Sequence, residues 1–259
     1  MTNLSTMMLR AALFALSGLV LAGCTPRSEG PCETVGFESV PFLVCSFDPA
    51  ADDIRLFLRD EAGAPFGQFD RLANHVASKG GSLVFAMNAG MYHEDRRPVG
   101  LYIEEEESEM GLVMNAGPGN FGMLPNGVFW IKDAAAGVTE TLAYAERFAD
   151  DPPRFATQSG PMLVINGQLH PVLNPDGTSI RRRNGVGVSD DGRRVVFVIS
   201  DSPVNFHAFA RFVRDELDVP NALYLDGAVS KVYAPALERN ESGLDMGPIV
   251  GVVRGSGKS

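Results

Sequence analysis

Two aspartates stand at the ends of apolar runs. VVFVIS leads into Asp201, and ALYL leads into Asp226 and Gly227. A carboxylate delivered to the end of a buried strand can serve as general base, nucleophile or charge stabiliser. Between the two acids, Ser202 reads as a helix N-cap and Pro203 as the first helical position. Phe206, Phe209, Ala210, Val213 and Leu217 follow at helical spacing, Arg211, Arg214, Asp215 and Glu216 fall mainly on the other side, and Pro220 stops the helix. Strand, amphipathic helix, strand predicts a βαβ unit over about 195–226, with parallel strands and a right-handed crossover. If the two strands are neighbours, both carboxylates leave one sheet edge, beside a helix start whose free N–H groups suit an anion. Gly227 lets the chain turn away or lets a ligand approach the backbone. Asp-Gly after a strand is also ordinary turn chemistry, and Asp201 can merely cap the helix. The residues alone leave both readings open.

Three further polar clusters flank apolar runs. FAMNAGMYHED places Asn88, Tyr92, His93 and Glu94 just beyond a strand, RFATQSGPM places Gln158, Ser159 and Gly160 before one, and IRRRNGVGV places Arg183 and Asn184 before another. Each is also consistent with a plain turn. Taken together, amides, hydroxyls and an arginine suit a polyol carrying negative charge. Arg183 can grip a phosphate bidentately.

These motifs carry a resemblance. MNAGMY, QSGPMLVINGQLHP, RRNGVGV and LYLDGAVS, in this order over about residues 81–253, resemble the phosphodiester glycosidase family, whose domain occurs in the enzyme that uncovers mannose 6-phosphate tags. Ala89 stands where the family usually has glycine, and Asn184 where threonine is common. In the family's Asp-Gly-Gly-Gly-Ser-Ser, Asp226, Gly227 and Ser230 are kept, whereas Ala228, Val229 and Lys231 depart. The resemblance implies hydrolysis of a glycosyl-1-phosphodiester at the sugar through an oxocarbenium-like transition state. Asp226 is then the expected base or nucleophile, with Asp201 or His93 as a second acid/base. Arg183 and the helix start near Ser202 would hold the phosphodiester, and Asn88, Tyr92, Gln158, Ser159, Gly160, Asn184, Gly227 and Ser230 would line the sugar. A reading from another class is a non-catalytic glycan-binding envelope lipoprotein on the same scaffold. A third is metal-assisted hydrolysis at phosphorus: no cofactor is called for, but Asp201, Asp226 and Glu94 could hold a divalent ion.

The elements that must position these residues read as α+β: a mixed central sheet with helices packed on it. Strands are expected in SVPFLVCSF, DIRLFLRD, SLVFAMN, VGLYIEE, NGVFWI and GPMLVI. A helix fits FDRLANHVAS, and a hairpin turns at Asn166-Gly167. The acid run Glu104–Glu107 reads as a solvated hairpin end. Residues 1–23 have the order of a lipoprotein signal peptide, ending in LAGC with Cys24 as the lipidated residue. Residues 24–36 read as a tether, 37–255 as one domain and 256–259 as a frayed tail. Thr25 favours the periplasmic side of the outer membrane. In that exported setting Cys32 and Cys45 are expected to pair. The formal charge of −10 and the lack of a basic tract argue against nucleic acid. The expected partners are a glycan phosphodiester and, through the lipid anchor, the membrane.

Overall fold

The structure, a computed structural model, describes residues 30–226 and 228–255. The leader, Cys24, Gly227 and the tail 256–259 lie outside the described residues. Three sheets carry the fold. The first has seven strands in the order β1 (Cys32–Phe37), β2 (Val40–Phe47), β13 (Val195–Ser200), β12 (Asn184–Val188), β14 (Asn221–Tyr224), β10 (Met162–Ile165) and β11 (Gln168–Leu169). The second runs β16 (Arg239–Asn240), β15 (Val232–Ala234), β4 (Ser82–Asn88), β17 (Ile249–Arg254) and β3 (Asp53–Phe57). The third runs β6 (Glu107–Met110), β5 (Tyr102–Glu104), β9 (Phe155–Ser159), β7 (Gly127–Lys132) and β8 (Ala135–Glu140). Helices α1 (Phe69–Ser78), α2 (Thr141–Arg147) and α3 (Phe206–Leu217) complete an α+β architecture.

The strand–helix–strand unit is present, with a change that matters for the site. β13 and β14 run in the same direction, but β12 lies between them and is antiparallel to both. Neighbouring strands in all three described sheets are therefore antiparallel. The reason is local: β12 and β13 already form a hairpin through the Ser189–Arg194 turn. After α3 the returning chain adds to the open side of β12. Asp201 and Asp226 still follow the same ends of co-directional strands, one strand apart.

The helix also begins later than expected. Asn205, not Ser202, is its N-cap, and its side-chain oxygen accepts the Ala208 N–H at 2.8 Å. The preceding residues are held elsewhere: Asp201 N–H donates to Pro41, and Val204 exchanges two backbone hydrogen bonds with Arg181. The apolar stripe is as expected, with Phe212 added; Phe212 stacks on Phe42 at 3.9 Å between ring centres. Burial of each such phenylalanine stabilises by roughly 1.5–3 kcal/mol.

Residues 32–36, read from the sequence as tether, form most of β1. A disulfide joins Cys32 and Cys45, which face each other across β1 and β2. The acid run does turn a hairpin between β5 and β6, but its first member, Glu104, is largely buried at a seam between sheets. It accepts the Tyr102 hydroxyl and the Leu58 N–H.

The main core lies where the three sheets face one another. Phe197 and Phe47 from the first sheet meet Phe85 from the second and Phe129 from the third. Such a junction fixes the relative positions of three sheet ends. At one end of this junction strands from all three sheets finish close together, with Asn184 in the first, Asn88 in the second and Ser159 in the third.

Candidate active site

At that end of the junction the sheets finish in buried polar residues. Asn88 ends β4, Asn184 begins β12, Ser159 ends β9, and Asp226 lies two residues past β14. Asn184 donates from its amide to the Asn88 carbonyl at 3.0 Å, and Asn88 donates to the Asn184 side-chain oxygen at 3.3 Å. That same Asn184 oxygen accepts the Asp226 N–H, and the Asn88 side-chain oxygen accepts the Lys231 N–H, each at 3.0 Å. Two buried amides from different sheets thus hold both ends of the 226–231 loop. Ser159 donates to the Leu225 carbonyl, and Ser230 donates to the Asp226 and Arg182 carbonyls. Gln158 ties Leu101, Val113 and Thr141 together. The side chains expected to bind sugar at Asn88, Asn184, Ser159 and Ser230 are engaged as a frame around the loop, and Gln158 is taken up by the Leu101–Val113–Thr141 contacts. Gly160 serves packing: a Cβ there would lie 2.7 Å from Asn126 Cβ.

Asp226 itself is 7% exposed and accepts the Ala228 N–H at 2.9 Å. Two tyrosines sense its charge. Burial pushes the Tyr92 phenol up to about 12, and the charges of Asp226 and Asp245 add to that against Arg96. Tyr224 is raised too, by burial first, with Arg183 opposing and Asp226 reinforcing. Both phenols therefore stay protonated near neutral pH; Tyr92 donates to the Asp245 carbonyl, and the Tyr224 hydroxyl accepts from Arg183.

Asp201 belongs to a different arrangement. Arg239 bridges Asp201 and Glu241 at 2.8 and 2.7 Å, and Arg182 grips Glu241 with both terminal nitrogens at 2.7 and 2.8 Å. Arg182 also donates to the Ser230 carbonyl, and Glu241 accepts the Val232 N–H. Burial raises the Glu241 carboxyl, but the two guanidinium groups outweigh it and the net shift is downward. Asp201 thus sits in an ion network that clamps the loop from outside. Nothing in the sequence spacing pointed to Glu241 or Arg239, because the network joins strands brought together only by tertiary structure.

Arg183 differs most from expectation. Its side chain is fully buried, with the guanidinium 3.5 Å above the Phe206 ring. It donates to Val204 O, Tyr224 Oη and both oxygens of Ser179. Burial opposes its charge, partly offset by Tyr224. It braces α3 and β14, with its donors taken up by protein groups. Arg181, two positions earlier, is exposed, and no hydrogen bond or ion pair of its side chain is seen among the described residues. Arg96 lies 5.4 Å over the Tyr92 ring. His93 is exposed in a tight turn whose N–H donates to Arg97 O, and Ser202 is half-buried in the loop before α3. Among the described residues no three His, Cys, Asp or Glu side chains gather closely enough to hold a metal ion, so Asp201, Asp226 and Glu94 do not form such a set.

The sequence model of the phosphodiester glycosidase family (NAGPA) matches residues 81–245. The chain belongs to this family. The uncharacterized protein YigE of Escherichia coli K12 is 34% identical over 186 residues, covering 72% of this chain and 71% of that one. The fold resembles the catalytic domain of zebrafish N-acetylglucosamine-1-phosphodiester alpha-N-acetylglucosaminidase, auto-inhibited by its pro-peptide, with a TM-score of 0.59 and 15% identity over 87% of this chain and 85% of that one. A hypothetical protein from Synechocystis is similar at a TM-score of 0.57 and 12% identity, over 86% of this chain and 61% of that one. For this phosphodiester glycosidase family member, the matched region contains all four motifs that frame Asp226.

Proposed function

We propose that the protein hydrolyses glycosyl-1-phosphodiesters, with Asp226 as the acting carboxylate. The observation that carries the reading is the anchoring of the Asp226 N–H by Asn184 at the three-sheet junction, within a chain of this family. In one step, water attacks the anomeric carbon, the bond from that carbon to the phosphate oxygen breaks, the phosphate monoester departs with the electron pair, and the proton of water passes to the Asp226 carboxylate. In two steps, Asp226 displaces the phosphate monoester and forms a glycosyl ester; water then attacks the anomeric carbon, the carbon–carboxylate bond breaks with its electron pair returning to Asp226, and the water proton is taken up by the released carboxylate. A buried carboxylate stabilises the oxocarbenium-like charge more strongly than a solvated one. The neutral phenol of Tyr92 and the guanidinium groups of Arg96 and Arg181 are the groups proposed to meet the phosphodiester. Each arginine lies beside one of the tyrosines that respond to Asp226. The test is Asp226→Asn in purified protein, assayed on nucleotide sugars and other glycosyl phosphodiesters with and without chelator. The expected result is a rate loss of about 10³-fold or more with the fold retained. Full activity in the variant would remove Asp226 from the mechanism. Release of sugar 1-phosphate would point to attack at phosphorus.

One observation favours the second reading, a non-catalytic glycan-binding envelope lipoprotein. Arg183, the arginine at the family position, is enclosed by protein, and Ala228, Val229 and Lys231 alter the loop. Glycan binding by the unmodified protein with no turnover of any phosphodiester would establish it. We also propose export and anchoring through Cys24 on the periplasmic side of the outer membrane, supported by the order of charge, apolar run and LAGC. Retention of a Cys24→Ser variant in the membrane fraction would contradict the anchor.

A further inference from the structure

Lys231 stands where the family has the final serine of its Asp-Gly-Gly-Gly-Ser-Ser motif, and its side chain does something a serine cannot reach. The residue is 6% exposed. Its ammonium leaves the 226–231 loop and donates to the Leu244 carbonyl at 2.7 Å and to the Gln68 side-chain oxygen at 3.2 Å. Burial lowers its pKa, with Asp245 and Glu241 opposing. Gln68 in turn donates to Gly243 O and to the Asp245 carboxylate, each at 2.6 Å. Met246 N–H donates to Gly67 O, closing the segment 243–246 onto the start of α1.

The segment so fastened lies against the candidate site. Tyr92 donates its hydroxyl to the Asp245 carbonyl at 3.1 Å. Gly247 packs so tightly on the Tyr92 ring that a Cβ there would lie 2.6 Å from it. Tyr92 is the phenol that feels both Asp226 and Asp245. Segment 243–247 is thus one wall around Tyr92, and Leu244 at its tip is 73% exposed.

We propose that Lys231 is a positioning residue that fixes the 243–247 wall beside Tyr92, and that this wall sets how bulky a group the site of this chain accepts. The proposal rests on the reading of Asp226 as the reacting carboxylate. A serine at 231 would leave Leu244 O and Gln68 without their shared donor. The wall would then be held only from the α1 side and by Tyr92. Lysine at this position therefore trades an open pocket for a shaped one, using a single long side chain.

The experiment compares the unmodified protein with Lys231→Ser, Lys231→Arg and Gln68→Ala. Gln68→Ala removes the shared acceptor from the half-buried side, in case Lys231→Ser does not fold. Amide hydrogen exchange over 243–247 needs no turnover. It is expected to quicken at least tenfold in Lys231→Ser and Gln68→Ala, and to stay near the original rate in Lys231→Arg. Exchange that stays unchanged in both folded variants overturns the proposal. The second readout is the ratio of kcat/KM for a small and a bulky glycosyl phosphodiester, expected to shift at least fivefold toward the bulky one through KM. A faster-exchanging wall with an unchanged ratio overturns its role in selection. Faster exchange in a protein that turns over no phosphodiester supports the fastening by Lys231 and counts against the catalytic reading alone.

Discussion

The two ends of β12 are built on different terms. At Val188 the strand passes into the Ser189–Arg194 turn, and in the same sheet the β10–β11 hairpin turns at Asn166-Gly167; both close mainly on residues near in sequence, and their distant partners are backbone or side-chain bonds to Ala136, Pro220 and Asn221. At Asn184 the partners are Asn88, Asp226 and, through Asn88, Lys231, which come from two sheets. A turn that closes mainly on its own residues passes little of a change to the rest of the fold. A junction of distant residues transmits any change to every strand it joins, and in return it can hold a carboxylate at a fixed place.

Paired substitutions sharpen that contrast. Asn184→Ala leaves the Asp226 N–H without its acceptor and unmakes both links to Asn88. An unfolding loss of about 3 kcal/mol is expected, since buried partners left unsatisfied cost about 1–3 kcal/mol each. Thermal unfolding should show it as a fall of roughly 6–12 °C for a domain of this size. Gly167→Ala is the control. Its φ of +77° disfavours a side chain, but nothing lies within 4 Å of the new Cβ, so the loss should be about 1 kcal/mol or less. Equal losses at the two positions would break the comparison.

Glu104, at another seam between sheets, offers a smaller test read through pH. Burial pushes its carboxyl up to about 7, although the Tyr102 hydroxyl and the Leu58 N–H pull it down. The folded protein therefore keeps a proton that the unfolded chain releases near the ordinary glutamate value. Between about pH 4.5 and 7 the folded state binds more protons, so stability falls as pH rises through that window, by up to about 2–3 kcal/mol. Denaturant midpoints across this range should be flatter in Glu104→Gln, which keeps the acceptor and loses the titration. An identical slope in the variant would assign the pH dependence to another group.

Much of the fold was legible. α1, α3 and the Asn166-Gly167 hairpin follow from spacing and turn chemistry within a dozen residues, and the Cys32–Cys45 pairing was expected from the cysteine count together with the expected export. The position of β12 between β13 and β14 was not legible, because periodicity identifies strands without saying which one a returning chain joins. Within the site, the four motifs that surround Asp226 could be picked out. Their division of labour could not: Arg183 reads like a ligand-binding arginine until the ring of Phe206 is found beneath it. Sequence gives residue type, whereas the direction a side chain takes depends on partners far away, as Glu241 and Arg239 illustrate.

β17 lies between β3 and β4 and pairs with both. During synthesis, β3 and β4 emerge early and cannot complete their hydrogen bonding until Ile249–Arg254 has been made. Up to that moment the nascent chain displays two unfilled β-edges flanking an apolar groove, which is the kind of surface that chaperones cover and aggregates recruit. The second sheet is thus closed by a strand far along the sequence from β3 and β4, made only after the segment that carries Asp226.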